Sequence, residues 1–367
     1  DFDGKQWQRR LNDLPQRLGS DRFNALPWFS DIKYLAKPVE YNVILEPTYQ
    51  NWVYTPQMPQ IADDRMLMRR DFQVDSRRRI SQRFSYDVIS YLDYTADLRP
   101  AQNRNLELNG LLRRARNLPE LSNPQAREFA ETLRNSVASD AAYIDAVLDH
   151  FRQQDFFYTT TPALLGDNPI DDFLFDTHEG FCEHYSSSFT YLMRAAGIPA
   201  RVVTGYMGGE FNPYDDTLTV RQYDAHAWSE VWLEDRGWVR VDPTAAVAPE
   251  RISQGSPLTY QEEESFMENE VFSLMRFKNS LLLNDLRLRL EMIDYAWNRF
   301  VLNYDQDMQF ELFNQFFGSI TKAKILTAVI GFMVLMTLFI GLVVFRISSV
   351  SKKSPATRWY LKFCRIM

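Results

Sequence analysis

The sequence predicts an α+β protein in which a β-rich part precedes a mixed part, and a helix then leads to one transmembrane helix. Apolar and polar side chains alternate over residues 83–88 with the two-residue period of a half-buried strand. Further along, apolar residues recur at helical spacing in 122–151 and again in 182–193. The segment 325–345 has 21 residues and no charge, which is enough for a helix that crosses a bilayer.

These patterns divide the chain of 367 residues into five segments. The apolar fraction of 45% and the charged fraction of 24% are typical of a globular protein, so long disordered regions are not expected. The predicted segments are a β-rich domain at 1–110, a mixed helix and strand domain at 111–260, a helical connector at 261–320, a transmembrane helix at 325–345 and the start of a tail at 346–367.

Individual elements follow from local signals. In the β-rich domain, residues 41–45 predict a strand, and Asp-Ser at 75–76 predicts the turn of a hairpin. Ser-Asn-Pro at 122–124 predicts the start of a helix, because proline is favoured in the first helical turn. A second helix is predicted to begin at 139–140. Residues 157–180, which are rich in Thr, Pro, Gly and Asp, predict a loop that shapes a cleft.

The connector carries an apolar stripe at helical spacing. Its members share one helix face and are backed by Arg and Glu, so the stripe is predicted to pack on the preceding domain and to lead the chain to the membrane. The members are Leu282, Leu286, Leu290, Ile293, Trp297 and Val301.

Charges around 325–345 predict the direction of the membrane helix. Six cations and no acidic residue follow it, which places the tail in the cytoplasm and residues 1–320 on the far side of the membrane. Without these cations the net charge of −7 becomes −13, so nucleic acid is a poor candidate partner. Since no signal peptide or other membrane span precedes this exported side, we interpret the chain as a piece of a longer membrane protein.

Cys182 is the candidate nucleophile. It lies in Gly-Phe-Cys-Glu-His at 180–184, and the only other cysteine, Cys364, follows the predicted membrane helix. An unpaired thiol outside the cytoplasm is a liability unless it is buried or used. Because a helix is predicted to begin at Cys182, its backbone N–H groups and dipole would stabilise a thiolate, and the Cys182 amide would donate to a tetrahedral oxyanion.

His226 and Asp242 are the candidate partners of this thiol. They stand at the ends of strand-like stretches at 227–233 and 237–241. Two adjacent antiparallel strands would bring the carboxylate beside the imidazole. Histidine would then take the thiol proton and later protonate the leaving group, while aspartate would orient the imidazole and stabilise its cation.

These motifs resemble the core of bacterial transglutaminase-like proteins. Gly-Phe-Cys-Glu-His-Tyr and Arg-Ala-Ala-Gly-Ile-Pro-Ala-Arg-Val-Val-Thr-Gly-Tyr lie within 180–206, Asp-Ala-His-Ala-Trp is at 224–228, and Trp-Val-Arg-Val-Asp-Pro-Thr is at 238–244. The resemblance is close over 165–250. Tyr-Asn-Val-Ile-Leu-Glu-Pro-Thr at 41–48 extends it more loosely to the membrane-anchored TgpA type.

The resemblance implies a papain-like core with Cys182, His226 and Asp242 as a catalytic triad. It implies acyl transfer from a glutamine side chain or peptide-like carbonyl of a protein or peptide, through a thioester, on the periplasmic side of a bacterial inner membrane. It also implies several upstream membrane spans and a downstream cytoplasmic domain that are missing from this chain. The acceptor stays open, since an amine gives a cross-link or conjugate and water gives deamidation or proteolysis.

Three further hypotheses use the same residues. The first is a zinc site of Cys182, His178 and His184, but no further Cys or His cluster supplies ligands at the usual spacing, so no metal site is predicted. No cofactor is needed by the acyl-transfer chemistry, and nothing resembles a calcium loop. The second hypothesis is a cysteine peptidase or amidase that acts on cell-wall peptide or protein, and the third is a non-catalytic periplasmic scaffold.

Substrate contacts are predicted on position alone. Trp228 is a candidate for the wall of an acyl tunnel, because it lies two residues after His226. The loop before His226 supplies the remaining candidates, which are Gly208, Gly209, Glu210, Asn212 and Tyr214.

Overall fold

The computed structural model of the protein describes these stretches of the chain: 1–8, 32–60, 63–69, 72–96, 106–234, 236–249, 281–302, 330–342 and 355–365. The chain divides into two compact units, Asp1–Leu302 and Asn303–Met367. The first unit contains a β-rich part (32–96), a mixed part (106–249) and the helix at 281–302.

Short antiparallel strands form the β-rich part. The central strand of one sheet pairs with two neighbours in the order β2-β7-β4, a second sheet has the order β3-β6-β5, and β1 pairs with β8. These strands are β1 (Lys33–Tyr34), β2 (Val39–Leu45), β3 (Trp52–Val53), β4 (Pro59–Gln60), β5 (Met66–Met68), β6 (Val74–Ser76), β7 (Phe84–Ser90) and β8 (Tyr94–Thr95).

Alternation over 86–88 of β7 helps to build the core of the β-rich part, as the sequence predicts, whereas Ser85 on the predicted polar face is buried as well. Tyr86 and Val88 are buried, whereas Asp87 between them is exposed, because successive side chains of a strand point to opposite faces. Met66 and Met68 of β5 are buried in the same apolar cluster. The predicted strand at 41–45 is also confirmed, as the greater part of β2.

The predicted hairpin turn at 75–76 is wrong. Asp75 and Ser76 are buried inside β6. The connection from β5 to β6 instead contains a hydrogen bond of 2.7 Å from the Arg69 amide to the Gln73 carbonyl. Asp75 tolerates burial because Arg69 forms an ion pair with it. In the sequence, an aspartate that is buried in such a pair cannot be told from an aspartate in a turn.

The mixed part is a three-stranded antiparallel sheet covered on one face by a helix. The sheet order is β11-β14-β15, and α5 packs on β14. The elements are α1 (Leu106–Arg114), α2 (Pro124–Asn135), α3 (Asp140–Gln153), β9 (Phe157–Tyr158), α4 (Pro169–Asp171) with a π-helical extension (Asp172–Thr177), β10 (Glu179–Gly180), α5 (Cys182–Ala195), β11 (Ala200–Tyr206), β12 (Glu210–Asn212), β13 (Thr217–Thr219), a 3-10 turn (Gln222–Asp224), β14 (Ala225–Leu233), β15 (Gly237–Val241) and a second 3-10 turn (Pro243–Ala246).

Both predicted helix starts in the mixed part are confirmed. Pro124 opens α2, and the Ser139 side chain accepts a hydrogen bond of 3.2 Å from the Ala142 amide at the start of α3. The predicted loop at 157–180 is wrong for 169–177, which is helical. Phe173 in this helical stretch is buried in the main core and its ring packs edge-on against Tyr185 of α5 at 5.1 Å.

Residues 1–8 pack on the mixed part, although they precede the β-rich part in the chain. Phe2 is buried against Tyr191 of α5, with ring centroids 5.6 Å apart. The Asn123 side chain donates to the Gly4 carbonyl at 3.2 Å, and the Arg194 guanidinium lies 4.7 Å from the Trp7 ring centroid. The segment therefore contributes to the core that supports α5.

Helix α6 (Leu281–Leu302) docks through a polar face. Leu286, Leu290, Ile293 and Trp297 are 46–63% exposed, so the prediction that the apolar stripe packs on the domain is wrong for these four. The side chains of Leu282 and Val301 lie outside the described residues. The receiving surface presents the Glu210 carboxylate, and this favours contact with the arginine-bearing face instead. Of the predicted connector 261–320, only 281–302 is described.

The predicted membrane segment is described over 330–342, where it forms helix α7, and its remaining residues lie outside the described part. None of the helices in the described stretches has both the length and the apolar character needed for a membrane span. A further helix, α8 (Pro355–Phe363), lies in the tail.

Candidate active site

Cys182 is the first residue of α5, at the positive end of the helix dipole. The chain reaches this position through Gly180, whose backbone passes close to the helix. A Cβ atom at residue 180 would lie 2.6 Å from the His184 Cβ and 3.0 Å from the Phe173 ring. Glycine is therefore needed to bring the cysteine to the helix start, and the Cys182 thiol is left partly accessible.

His226 and Asp242 lie side by side on neighbouring strands. His226 is the second residue of β14, and Asp242 directly follows β15, which pairs with β14 in the register Ser229 to Val241. The imidazole Nε2 is 2.7 Å from Asp242 Oδ2, while Asp242 Oδ1 accepts a hydrogen bond of 3.2 Å from the Thr244 amide. One carboxylate oxygen is thus held by the backbone and the other faces the imidazole.

The Cys182 thiol interacts with the same imidazole and contributes to raising its pKa. Because Nε2 faces Asp242, Nδ1 is the ring nitrogen left for the thiol. Burial alone would lower the pKa of His226, but hydrogen bonds and charge from Asp242 and Cys182 outweigh burial and raise this pKa to about 9. The imidazole is consequently protonated at neutral pH, between two groups that can each carry a negative charge.

The pH dependence of stability should report this arrangement. A raised pKa in the folded state stabilises the fold fully below the unfolded value of about 6.5, and the contribution is lost as pH rises through about 9. The free energy of unfolding of the protein, minus that of His226→Gln, should therefore fall by up to about 3 kcal/mol between pH 6.5 and 10. Urea unfolding of both proteins at several pH values measures it, and a constant difference would contradict the raised pKa.

Trp228 lies beside the candidate triad. Its ring is nearly parallel to that of His226, with centroids 6.3 Å apart, and the Arg240 guanidinium lies 4.2 Å from the indole centroid. A Cβ atom at Gly205 would come within 2.9 Å of the indole, so the neighbouring strand β11 needs a residue without a side chain at this position. Arg240 Nη2 is also 3.7 Å from Asp242 Oδ2.

The other predicted substrate contacts lie on the β12–β13 hairpin. Gly208 and Gly209 have φ angles of 82° and 145°, which form the bend before β12. Glu210, Asn212 and Tyr214 all contact α6: Glu210 pairs with Arg287, the Asn212 amide donates to the Leu288 carbonyl at 2.8 Å, and the Tyr214 hydroxyl donates to Asp285. Of the predicted substrate contacts, Trp228 therefore lies beside His226, whereas the side chains of Glu210, Asn212 and Tyr214 contact helix α6.

The histidines of the zinc hypothesis have other partners. His178 Nε2 is 2.8 Å from the Leu174 carbonyl, and His184 Nδ1 accepts from the Phe181 amide at 3.4 Å. Across the described stretches, no group of three or more His, Cys, Asp or Glu residues is arranged to hold a metal ion.

Arg240, at the site, and Arg287, which binds the hairpin before His226, are residues that sequence reasoning missed. Arg240 stands two residues before Asp242, on the same strand face, so the two-residue period could have revealed it. For Arg287 the sequence carries no signal, because its partner Glu210 is 77 positions away.

Two family models match this chain. Residues 127–243 match the transglutaminase-like superfamily, and residues 1–97 match the TgpA N-terminal domain. A protein-glutamine gamma-glutamyltransferase of Pseudomonas aeruginosa is 36% identical over 325 residues, which are 88% of this chain and 46% of that protein. The uncharacterised protein YebA of Bacillus subtilis is 34% identical over 134 residues, which are 35% of this chain and 18% of that protein. The chain therefore spans less than half the length of either relative.

A solved structure shares the fold. The periplasmic domain of TgpA from Pseudomonas aeruginosa is 39% identical, with a TM-score of 0.58. The similarity covers 61% of this chain and 76% of that domain. A second crystal structure of the same domain, bound to ethylmercury, matches with a TM-score of 0.57.

Proposed function

Because this chain belongs to the TgpA-type family of transglutaminase-like proteins, we propose that it transfers the acyl group of a protein or peptide glutamine through Cys182, His226 and Asp242. The observation that carries the proposal is the imidazole of His226, which lies 2.7 Å from Asp242 Oδ2 and has its pKa raised by Asp242 and by a thiol that stands at a helix N-terminus. Those are the parts that nucleophilic acyl transfer requires.

The first half-reaction forms a thioester. The Cys182 thiolate attacks the carbon of the glutamine γ-carboxamide, and the carbonyl oxygen becomes an oxyanion near the Cys182 amide. As this intermediate collapses, the C–N bond breaks and the His226 imidazolium gives its proton to the leaving nitrogen, so ammonia departs. Asp242 keeps the imidazole oriented while its charge changes.

The second half-reaction releases the acyl group. Neutral His226 takes a proton from the acceptor as the acceptor attacks the thioester carbon, and the C–S bond breaks to regenerate the Cys182–His226 pair. A primary amine as acceptor yields a substituted amide, whereas water yields glutamate. With a backbone amide in place of the glutamine side chain, the same steps would cleave a peptide, which is the peptidase hypothesis.

The same proposal includes where the chain acts. Residues 1–320 would lie in the periplasm, 325–345 would cross the bacterial inner membrane, and 346–367 would begin a cytoplasmic tail. This placement is supported by the charge pattern around 325–345 and by the periplasmic origin of the matching TgpA domain. The β-rich domain (1–110), the catalytic domain (111–260) and the connector (261–320) would form its periplasmic portion.

Alkylation of Cys182 tests the nucleophile directly. In a Cys364→Ser background Cys182 is the only thiol, so labelling by iodoacetamide reports on it alone. The labelling rate should fall only a fewfold from pH 8 to pH 6, whereas an ordinary thiol with a pKa of about 8.5 would slow on the order of 10²-fold. Adding His226→Ala should restore the steep pH dependence of an ordinary thiol.

Product analysis then identifies the reaction. Wild-type protein should release ammonia from a glutamine-containing protein such as casein and incorporate a fluorescent primary amine into it, and Cys182→Ser should do neither. Cleavage of the casein chain without ammonia release would favour the peptidase. A labelling rate that ignores His226 would remove the catalytic proposal and leave the scaffold hypothesis.

A further inference from the structure

Arg287 on α6 is a buried cation with several partners. Its side chain is 1% exposed, and its guanidinium binds both carboxylate oxygens of Glu210. Within α6 it also donates to Glu291 at 2.8 Å and to Asn284 at 2.8 Å and 3.1 Å. Because a guanidinium stays charged in proteins, its burial is tolerated only while these carboxylates compensate the charge.

Arg221 joins the same cluster from the hairpin side. It lies 2.8 Å from Glu210 and 3.4 Å from Glu291, so two arginines and two glutamates alternate in one ion-pair network. Burial alone would raise the pKa of Glu210, but Arg287 and Arg221 outweigh burial and lower it. The carboxylate therefore stays charged across the neutral range and keeps α6 attached to the hairpin.

The network connects to His226 through a short piece of chain. Arg221 stands immediately before the 3-10 turn Gln222–Asp224, and its backbone amide donates to Asp224 Oδ2 at 2.8 Å. The Asp224 carbonyl accepts from the Met207 amide at 2.9 Å, which closes the base of the hairpin. Strand β14 then begins at Ala225, and His226 is its second residue.

Further contacts show that the hairpin is held from two sides. Its base continues the β11–β14 ladder, in which Gly205 pairs with His226. Its outer end is bound to α6 by Asn212, which is 1% exposed, and by Tyr214. A hairpin fixed only at its base could tilt, and the tilt would be transmitted to the first residues of β14.

We propose that Arg287 is a positioning residue which, through Glu210, Arg221 and Asp224, holds His226 in place between Asp242 and Cys182. The proposal deepens the proposed function and rests on it, since His226 is the base that activates the thiol. Attachment of α6 to the β12–β13 hairpin then becomes a condition for full activity. The helix also contacts the β-rich part, where the Arg83 side chain binds Asn298 and approaches Asp294 to 3.9 Å.

Alkylation kinetics of the full chain test this coupling. In the Cys364→Ser background, Arg287→Gln should slow iodoacetamide labelling of Cys182 at pH 6 to 7 by about 3- to 30-fold, the range of couplings carried by such networks. Arg287→Lys, which retains the charge, should recover part of the rate. The matched control is Arg83→Gln, which removes the guanidinium of the β-rich part that contacts the opposite end of α6, away from the hairpin, and should leave the rate unchanged.

A double-mutant cycle separates positioning from general loosening. If Arg287 acts through His226, Arg287→Gln should have no effect on labelling in a His226→Ala background. Equal slowing in both backgrounds, or no slowing in either, would overturn the proposal. Circular dichroism shows whether Arg287→Gln folds. If it does not, Glu291→Gln is used in its place, because this variant removes one partner of Arg287 and keeps the Glu210 partner.

Titration of the imidazoles by NMR distinguishes this inference from the proposed function. The chain has four histidines, so the His226 signal can be assigned by comparison with His226→Gln. Arg287→Gln should move its midpoint from about 9 toward 6.5, because the imidazole loses its place beside Asp242. If Arg287→Gln shifts the His226 midpoint but labelling of Cys182 does not depend on His226, the proposed function alone is wrong. If labelling of Cys182 depends on His226 but Arg287→Gln leaves the His226 midpoint unchanged, the positioning role alone is wrong.

Discussion

Replacing Asp242 with asparagine should lower the rate of acyl transfer by roughly 10² to 10⁴-fold. The two carboxylate oxygens have separate tasks, since Oδ2 accepts from His226 and Oδ1 accepts from the Thr244 amide. Asparagine has one oxygen for both. If that oxygen stays with Thr244, the amide nitrogen faces the imidazole, which must then carry its proton on Nδ1 and can no longer accept one from Cys182.

Steady-state ammonia release measures this effect, and the unfolding free energy shows whether the fold survives. Asp87→Asn, on an exposed face of β7, is the matched control and should keep full activity. Cys-His-Asn proteases function with an amide in the third position. Nearly unchanged activity of Asp242→Asn would therefore mean that orientation suffices here and that the negative charge is dispensable.

Replacing Gly237 with alanine should destabilise the first unit by about 3 to 5 kcal/mol. Gly237 is the first residue of β15 and has a φ of 71°, in the left-handed region that disfavours a side chain. A Cβ atom there would lie 1.9 Å from the Ala96 carbonyl oxygen. That oxygen belongs to the end of the β-rich part, so the methyl group would push the β-rich part away from the sheet that carries Asp242.

Gly197→Ala is the matched control for this prediction. Gly197 has a similar φ of 82°, but nothing lies within 4 Å of the Cβ position. Its replacement should cost only the backbone strain of about 1 to 2 kcal/mol. Urea unfolding of both variants isolates the clash as the difference, and equal losses would show that the Ala96 carbonyl moves aside without cost.

Local patterns predicted the elements that carry the candidate site. The start of α5 at Cys182 follows from helical spacing after a glycine, and strand-like stretches of sequence mark β14 and β15. Antiparallel neighbours joined by a short connection leave little freedom in register, so the proximity of His226 and Asp242 was within reach of sequence reasoning. The motifs around these residues also indicated the family.

Other features depend on contacts between residues that are far apart in the chain. The helical period of α6 shows which side chains share a face, but whether the apolar or the arginine face docks depends on the carboxylate of Glu210. Likewise, Asp75 is predicted in a turn from the sequence, and only the ion pair with Arg69 explains why it is buried in a strand. Polar residues in such pairs have no local signature of burial.

By itself, the sequence determined the family, the mixed α and β class and the three candidate catalytic side chains, because each depends on short motifs and on periods that are local in the chain. Only the tertiary structure decided that the Arg240 guanidinium lies over the Trp228 ring, that Gly237 meets Ala96, and that Arg287 reaches across to the hairpin before His226. These contacts join elements packed from distant parts of the chain, and charge pairing and close packing select among partners only once the fold has brought them together.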